Sequence, residues 1–171
     1  MGGSASPNYG SQQPSGPDSA EIQMNRDRAF VKKALEGGSA EVRLGELAQH
    51  NSQSDDVKQF ARKMVEDHKQ LGGQIEPIAT QLGVASPTDL SRKARKVIAK
   101  LEGLSGPKFD EEYISAMLKD HQQDLKDFNT EAEKTQNITL RDAAKEGATV
   151  IAQHLQLIQS IAQSHNVTTP H

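Results

Sequence analysis

Apolar residues recur along most of the chain at alternating steps of three and four, the spacing of an amphipathic α-helix. Four long segments carry this pattern, over residues 27–48, 55–82, 107–134 and 140–165. Ser54 is placed to cap the second helix and Gly83 to end it, while Pro77 is expected to kink or weaken its last turns. No segment alternates with a period of two, so the pattern predicts an all-α helical bundle.

A shorter amphipathic segment lies between the second and third long helices. Ser86 and Pro87 have the sequence of a helix start, which predicts a connector helix running to Leu101. Its second face is basic, which is typical of a solvated surface, with an anion site as the alternative. A helix of that length would rise about 24 Å and return the chain along the bundle. We therefore favour a ferritin-like four-helix bundle, with a short extra helix in one long crossover, over an up-down-up-down bundle.

Four polar residues interrupt the apolar seams, one on each long helix, namely Glu41, His68, His121 and His154. Counting from the helix ends places all four within about one helical turn, or 5.4 Å, of a common level. Burying them without compensation would be costly. Neutral imidazoles with one carboxylate are a common ligand set, so the layer predicts one divalent transition metal: zinc, iron, manganese or cobalt. The alternative is a hydrogen-bonded polar network without metal.

Aspartates directly precede two of these histidines. Asp67 and Asp120 should flank the seam, where each could accept a ring N–H from a neighbouring histidine or stand as a solvated charge. Three seam glycines near the layer, Gly37, Gly38 and Gly147, predict open volume that could hold water or a small molecule beside the metal.

Composition sets the remaining limits. The 171 residues include 20 basic and 23 acidic side chains and no cysteine, so thiolate sites and disulfides are excluded and no nucleic-acid partner is indicated. No apolar run is long enough to cross a membrane, and no signal peptide is visible. The predicted domains are a disordered leader over 1–22, the bundle over 23–166 and a tail over 167–171. The oligomeric state is not predicted.

Several short motifs in a fixed order resemble the bacterial "domain of unknown function 4142" family across about residues 27–163. They include Phe30-Val31-Lys32-Lys33-Ala34, Val57-Lys58-Gln59-Phe60-Ala61, Met64-Val65-Glu66-Asp67-His68, Asp120-His121 and His154-Leu155. The resemblance implies a ferritin-like fold, export to the periplasm, and shared positions at Glu41, His68, His121 and His154. It implies no established activity.

Three functions follow from these patterns. The first is a metal-binding bundle protein of the cell envelope, with one metal held by three histidines and one glutamate. The second is a metal-free helical binding or structural module of the periplasm. The third is a di-metal oxidase using Glu41, Asp67, Asp120 and the histidines. Di-iron bundles usually carry two Glu-x-x-His motifs, which are missing at this layer, so one metal is the more economical interpretation.

Overall fold

The computed structural model describes residues 18–168 as a bundle of helices. Within that range there are five helices and no strand, which confirms the all-α prediction. They are α1 (Ser19–Asn51), α2 (Asp55–Leu82), α3 (Arg92–Glu102), α4 (Gly106–Lys134) and α5 (Ile138–Ser164). Most of the predicted leader and the last three residues of the predicted tail lie outside the described residues.

The first helix begins earlier than the apolar seam predicts, at Ser19 rather than at residue 27. The Asp18 carboxylate accepts a hydrogen bond from the backbone N–H of Glu21 at 2.8 Å and so caps the added turns. Arg26 then ties this end of α1 to the end of α4 by donating to the carbonyl of Lys134 at 2.9 Å. Residues 19–22, predicted as leader, therefore belong to α1.

The predicted start of the connector helix is wrong. The Ser86 hydroxyl donates to a Glu76 carboxylate oxygen at 2.5 Å and does not cap a helix. The helix begins at Arg92, because the Ser91 side chain accepts from the backbone N–H of Ala94 at 3.1 Å. The resulting 11-residue helix rises about 16 Å, and residues 83–91 complete the crossover outside any helix.

The second helix has the predicted bounds. It continues through Pro77 to Leu82 and ends at Gly83, whose φ of 69° lies in the left-handed region that favours glycine. The N–H of Val84 then reaches back to the carbonyl of Ala79 at 2.8 Å and satisfies one of the last free carbonyls of the helix.

The helices connect as in a ferritin-like bundle. The pairs α1–α2 and α4–α5 pack as hairpins, α2 also packs against α5, and α1 packs against α4. The first turns of α2 and α4 share one apolar cluster with the last turns of α1, α3 and α5, so α2 and α4 start at the same end. The crossover must therefore return the chain along the bundle, as the long connector predicted.

Two apolar clusters fill the interior, one toward each end. The first includes Leu44, Met64, Met117 and Ile158, and the second includes Val31, Leu35, Ile75, Phe128 and Ile151. Full burial of each such side chain contributes about 1.5–3 kcal/mol, which supports the fold on both sides of a polar layer. Among the described residues, no helix is long and apolar enough to span a bilayer.

Candidate metal centre

The four polar seam residues meet in one layer between the two apolar clusters. Glu41 comes from α1, His68 from α2, His121 from α4 and His154 from α5, and all four are buried. The three imidazole ring centroids are 5.3, 5.5 and 5.8 Å apart. They converge because each residue lies near the middle of its helix and faces inward along the apolar seam.

The three histidines lie close enough together to become ligands of one ion after a small adjustment. One ring nitrogen from each of His68, His121 and His154 lies within 4.8 Å of the other two. Nitrogens bound at 2.0–2.1 Å around a common metal would stand about 3.3–3.6 Å apart. Ring movements of about 1 Å would close that difference, which is within reach of side-chain adjustment.

Two of the rings are held by an oxygen on their outer edge. Nδ1 of His121 lies 3.0 Å from the carbonyl oxygen of Met117, and since a carbonyl only accepts, this nitrogen carries the proton. Nε2 of His154 lies 2.7 Å from Oδ2 of Asp67, on the neighbouring helix α2. Contacts of this kind fix the tautomer and leave the other ring nitrogen with a free lone pair.

The third ring is held by Glu41. Oε2 of Glu41 lies 3.1 Å from Nδ1 of His68, and Oε1 lies 3.5 Å from Nδ1 of His121 without a hydrogen-bond partner. The carboxyl therefore contacts the Nδ1 edges of these two rings, and it contributes no atom to the close group of histidine nitrogens. Its predicted role as a fourth ligand stays a prediction.

One nitrogen of each of these three histidines has no hydrogen-bond partner among the described residues. These buried atoms are Nε2 of His68, Nε2 of His121 and Nδ1 of His154. Each is the ring nitrogen opposite the one that contacts Glu41, Met117 or Asp67. An unsatisfied buried polar atom reduces the stability of the fold by about 1–3 kcal/mol. Three such atoms in one layer would therefore destabilise a purely structural core considerably.

Burial keeps the imidazoles neutral. Burial, and then the charges of His121 and His154, lower the pKa of His68 to about 3. Burial and the charge of His154 likewise lower the pKa of His121 to about 3, although the Met117 carbonyl opposes this. Burial also lowers the pKa of His154, against the opposing effect of Asp67. At neutral pH the free nitrogens of His121 and His154, opposite the nitrogens that donate to Met117 and Asp67, therefore carry a lone pair, the form that binds metal.

Glu41 differs from the histidines in its electrostatics. Burial raises its pKa well above the ordinary value, and the neighbouring carboxylates of Asp124 and Asp120 raise it further. Asp124 lies one turn after His121 on α4. Burial and the charge of Asp120 raise its own pKa to about 6. The α1–α4 side of the layer thus holds a pair of carboxyl groups with a raised affinity for protons.

The two Asp-His motifs have different surroundings. Asp67 contacts His154, and Lys63 holds it from one turn earlier on α2 at 2.8 Å. Burial acts to raise the pKa of Asp67, but the hydrogen bonds from Lys63 and His154 outweigh it and lower the pKa. Asp120 instead accepts a hydrogen bond from Lys93 of α3 at 3.2 Å. Lys63 was not among the predicted site residues, although its four-residue spacing from Asp67 was a usable signal.

The family assignment follows from the sequence. Residues 12–161 match the family described as Domain of unknown function (DUF4142). The chain belongs to this family. The match confirms the resemblance drawn from the short motifs, and no curated protein matches the sequence.

Solved structures share the fold of this DUF4142 protein at low sequence identity. A DUF305 protein of Streptomyces coelicolor has a TM-score of 0.73 and 11% identity, covering 85% of this chain and 97% of its own. A DUF305 fragment of Deinococcus radiodurans has a TM-score of 0.71 and 14% identity, covering 81% and 96%. CopM in its Cu(I)-bound form has a TM-score of 0.69 and 14% identity, with the same coverage. At such identities the likeness shows the fold alone.

The DUF4142 bundle also encloses open volume beside the layer. A cavity of about 400 Å³ is lined by Gly37, Gly38, Glu41 and His68, as expected for the first two glycines. The expectation for Gly147 is wrong, since a Cβ there would meet a carbon of the Phe128 ring at 2.4 Å. Gly147 therefore permits a close helix–ring contact and leaves no space.

Proposed function

We propose that this DUF4142 protein binds one transition-metal ion in the core of its bundle, with His68, His121 and His154 as ligands. The observation that carries the proposal is the set of three buried ring nitrogens that find no hydrogen-bond partner within residues 18–168. One ion would satisfy all three at once. No side-chain or backbone group of the described residues supplies these partners, so a network without metal would need buried water to satisfy them.

The choice of metal follows from the donor set. Three neutral imidazoles suit copper, zinc and cobalt, and the general affinity order places copper highest. The structural neighbour CopM is described in Cu(I)-, Cu(II)- and Ag-bound forms. Copper should therefore be tested together with the metals predicted from the sequence, which are zinc, iron, manganese and cobalt. The likeness to CopM supports copper only as a starting point, because it extends to the fold and not to the ligands.

Glu41 is proposed to respond to the bound cation. A positive charge beside a buried carboxyl favours its ionised form, so metal binding should release a proton from Glu41. Ionised Glu41 can hold the Nδ1–H of His68 through Oε2 or bind the metal through its unpartnered Oε1. Glu41→Gln separates the two roles, because a glutamine carbonyl can hold the imidazole but binds a metal far less well than a carboxylate.

One ion per chain is favoured over two. The close group of possible ligand atoms contains three residues, and Asp120 is engaged by Lys93 on α3. A di-metal oxidase would need bridging carboxylates at the layer, as in the Glu-x-x-His bundles. We further propose that the protein works outside the cytoplasm. The Streptomyces coelicolor neighbour, described as a candidate secreted protein, agrees with that compartment.

The deciding experiment is metal analysis of protein purified without an affinity tag. We expect about one metal per chain, and a lower melting temperature after chelation at pH 7.5. His68→Ala and His154→Ala should lose the metal, while the matched control His50→Ala should keep it, because His50 is exposed at the end of α1. No bound metal and identical melting with and without chelator would favour the metal-free module. Two metals per chain would favour the di-metal oxidase.

A further inference from the structure

A cavity connects the buried centre with the surface of the bundle. It has a volume of about 400 Å³, lies between α1, α2 and α4, and reaches the layer at Glu41 and His68. His121 and His154 are 0% exposed and do not line it. We propose that this cavity is the channel through which metal cations reach and leave the three-histidine centre. The inference rests on the proposed function.

The walls of the cavity lack side chains where two helices face it. Gly37 and Gly38 lie on α1, and Gly72 and Gly73 lie on α2. A Cβ at position 37, 72 or 73 would meet nothing within 4 Å, so close packing does not require these glycines. Each glycine inside a helix costs about 0.5–1 kcal/mol relative to alanine. Keeping the cavity open is a physical reason for accepting that cost at adjacent positions.

The charge of the lining favours cations. The carboxyl groups of Glu76, Asp124 and Asp127 line the cavity against two lysines, and the buried Glu41 carboxyl lies at its inner end. Clefts lined mainly by one sign of charge concentrate ions of the opposite sign. At the inner end, Oε1 of Glu41 is buried and has no hydrogen-bond partner in the described part of the chain, so it can serve an arriving cation as an oxygen ligand beside His68.

Lys33 is placed to regulate passage. It lies on α1, forms an ion pair with Asp127 of α4, and lines this cavity as well as a second cavity of about 240 Å³ on the α3 side. Its ammonium group pairs with the Asp127 carboxylate, which would otherwise attract the metal. Lys32, the preceding residue, lines neither cavity and faces Glu36 at 4.0 Å, which makes it a matched control for charge.

The first test narrows the channel without touching the ligands. We compare Gly37→Leu and Gly72→Leu with the parent by stopped-flow absorption, using Co(II) as the probe. The rates of association and dissociation should both fall by at least about tenfold, while the dissociation constant stays unchanged. A narrower channel raises the barrier between free and bound metal, but it changes the free energy of neither state. Gln70→Leu, at an exposed position of α2 outside the lining, should bind and release Co(II) at parental rates.

The second test removes the charge at the channel. Lys33→Gln should accelerate Co(II) association about threefold, from the loss of one positive charge near the path of a divalent ion. Lys32→Gln should have a smaller effect. The difference between the two variants should shrink in high salt, since screening weakens the interaction of exposed charges.

The outcomes separate the channel from the centre. A parent protein that shows no Co(II) spectrum overturns the proposed function for this class of ion, and the channel with it. A parent that binds Co(II), with both leucine variants at parental association rates, overturns the channel and leaves the centre standing. A larger dissociation constant with an unchanged association rate would indicate damage to the ligands. That result would also overturn the channel.

Discussion

His121 lies in the most enclosed part of the centre, and its replacement by leucine tests the balance between stability and binding. The side chain is 0% exposed, and its ring is 6.4 Å from that of Phe60. Leucine has a similar volume and would extend the apolar seam of α4. The Met117 carbonyl loses the imidazole contact but remains within the hydrogen-bonded backbone of α4.

The expected gain comes from removing one unsatisfied nitrogen. Deleting the unpartnered Nε2 should stabilise the metal-free protein by about 1–3 kcal/mol. At about 2–4 °C per kcal/mol for a chain of this size, the melting temperature should rise by about 2–12 °C. With metal at 100 times its dissociation constant, the parent should gain about 2.7 kcal/mol, whereas the variant should gain almost nothing.

The assay is thermal unfolding followed by far-UV circular dichroism, at pH 7.5, in chelator and in excess metal. His50→Leu is the control, because His50 is exposed and far from the layer along α1. A His121→Leu protein that melts below the parent in chelator would show that the free nitrogen carries no cost. A variant that still gains stability from metal would place the binding site elsewhere.

Three further predictions concern other residues. Asp67→Asn should weaken metal affinity by about 10–100-fold in calorimetric titration, because it loses the charged acceptor that holds His154. Gly147→Ala should lower the free energy of unfolding in urea by about 1–3 kcal/mol, since its Cβ would overlap the Phe128 ring. Burial and a neighbouring carboxylate raise the pKa of Glu131 from 4.5 to about 7, so the folded state keeps a proton that the unfolded state loses in this interval. Relative to Glu131→Gln, the parent should lose up to about 3 kcal/mol of stability between pH 4.5 and 7.5, measured by urea unfolding.

Periodicity predicted the long helices and the level of the polar layer because both depend on regular spacing along one chain. Its failure at α3 has a local cause. Ser86 and Ser91 are both acceptable caps, and the sequence alone does not rank them. The contact between Ser86 and Glu76 of α2 leaves Ser91 as the cap. That choice depends on a residue one element away, so no local pattern could have revealed it.

The contacts within the site could not be predicted from sequence spacing either. The sequence placed the three histidines together in a buried layer, because each replaces an apolar residue in a seam. It treated Asp67 and Asp120 alike, since both precede a histidine. In the structure Asp67 contacts His154, whereas Asp120 accepts a hydrogen bond from Lys93 of α3. Which oxygen contacts which ring depends on helix rotation and on neighbouring elements, and neither is encoded in spacing.

The buried histidines lower the free energy of unfolding of the metal-free protein in two ways. Burial lowers the pKa values of His68 and His121 to about 3, from 6.5 in the unfolded chain, so the unfolded state binds protons that the folded state refuses. Their contribution therefore reduces stability as pH falls from about 6.5 toward 3. At neutral pH the same rings carry unpaired nitrogens, which is again unfavourable in the absence of a ligand. The two apolar clusters must stabilise the fold against the loss of stability at low pH and against the unpaired nitrogens at neutral pH. A bound cation would pair with those nitrogens, and it would compete with the protons that destabilise the fold in acid. An unfavourable layer held between two well-packed clusters is what a preorganised binding site requires, because the protein meets the cost of assembling the ligands during folding and not during binding.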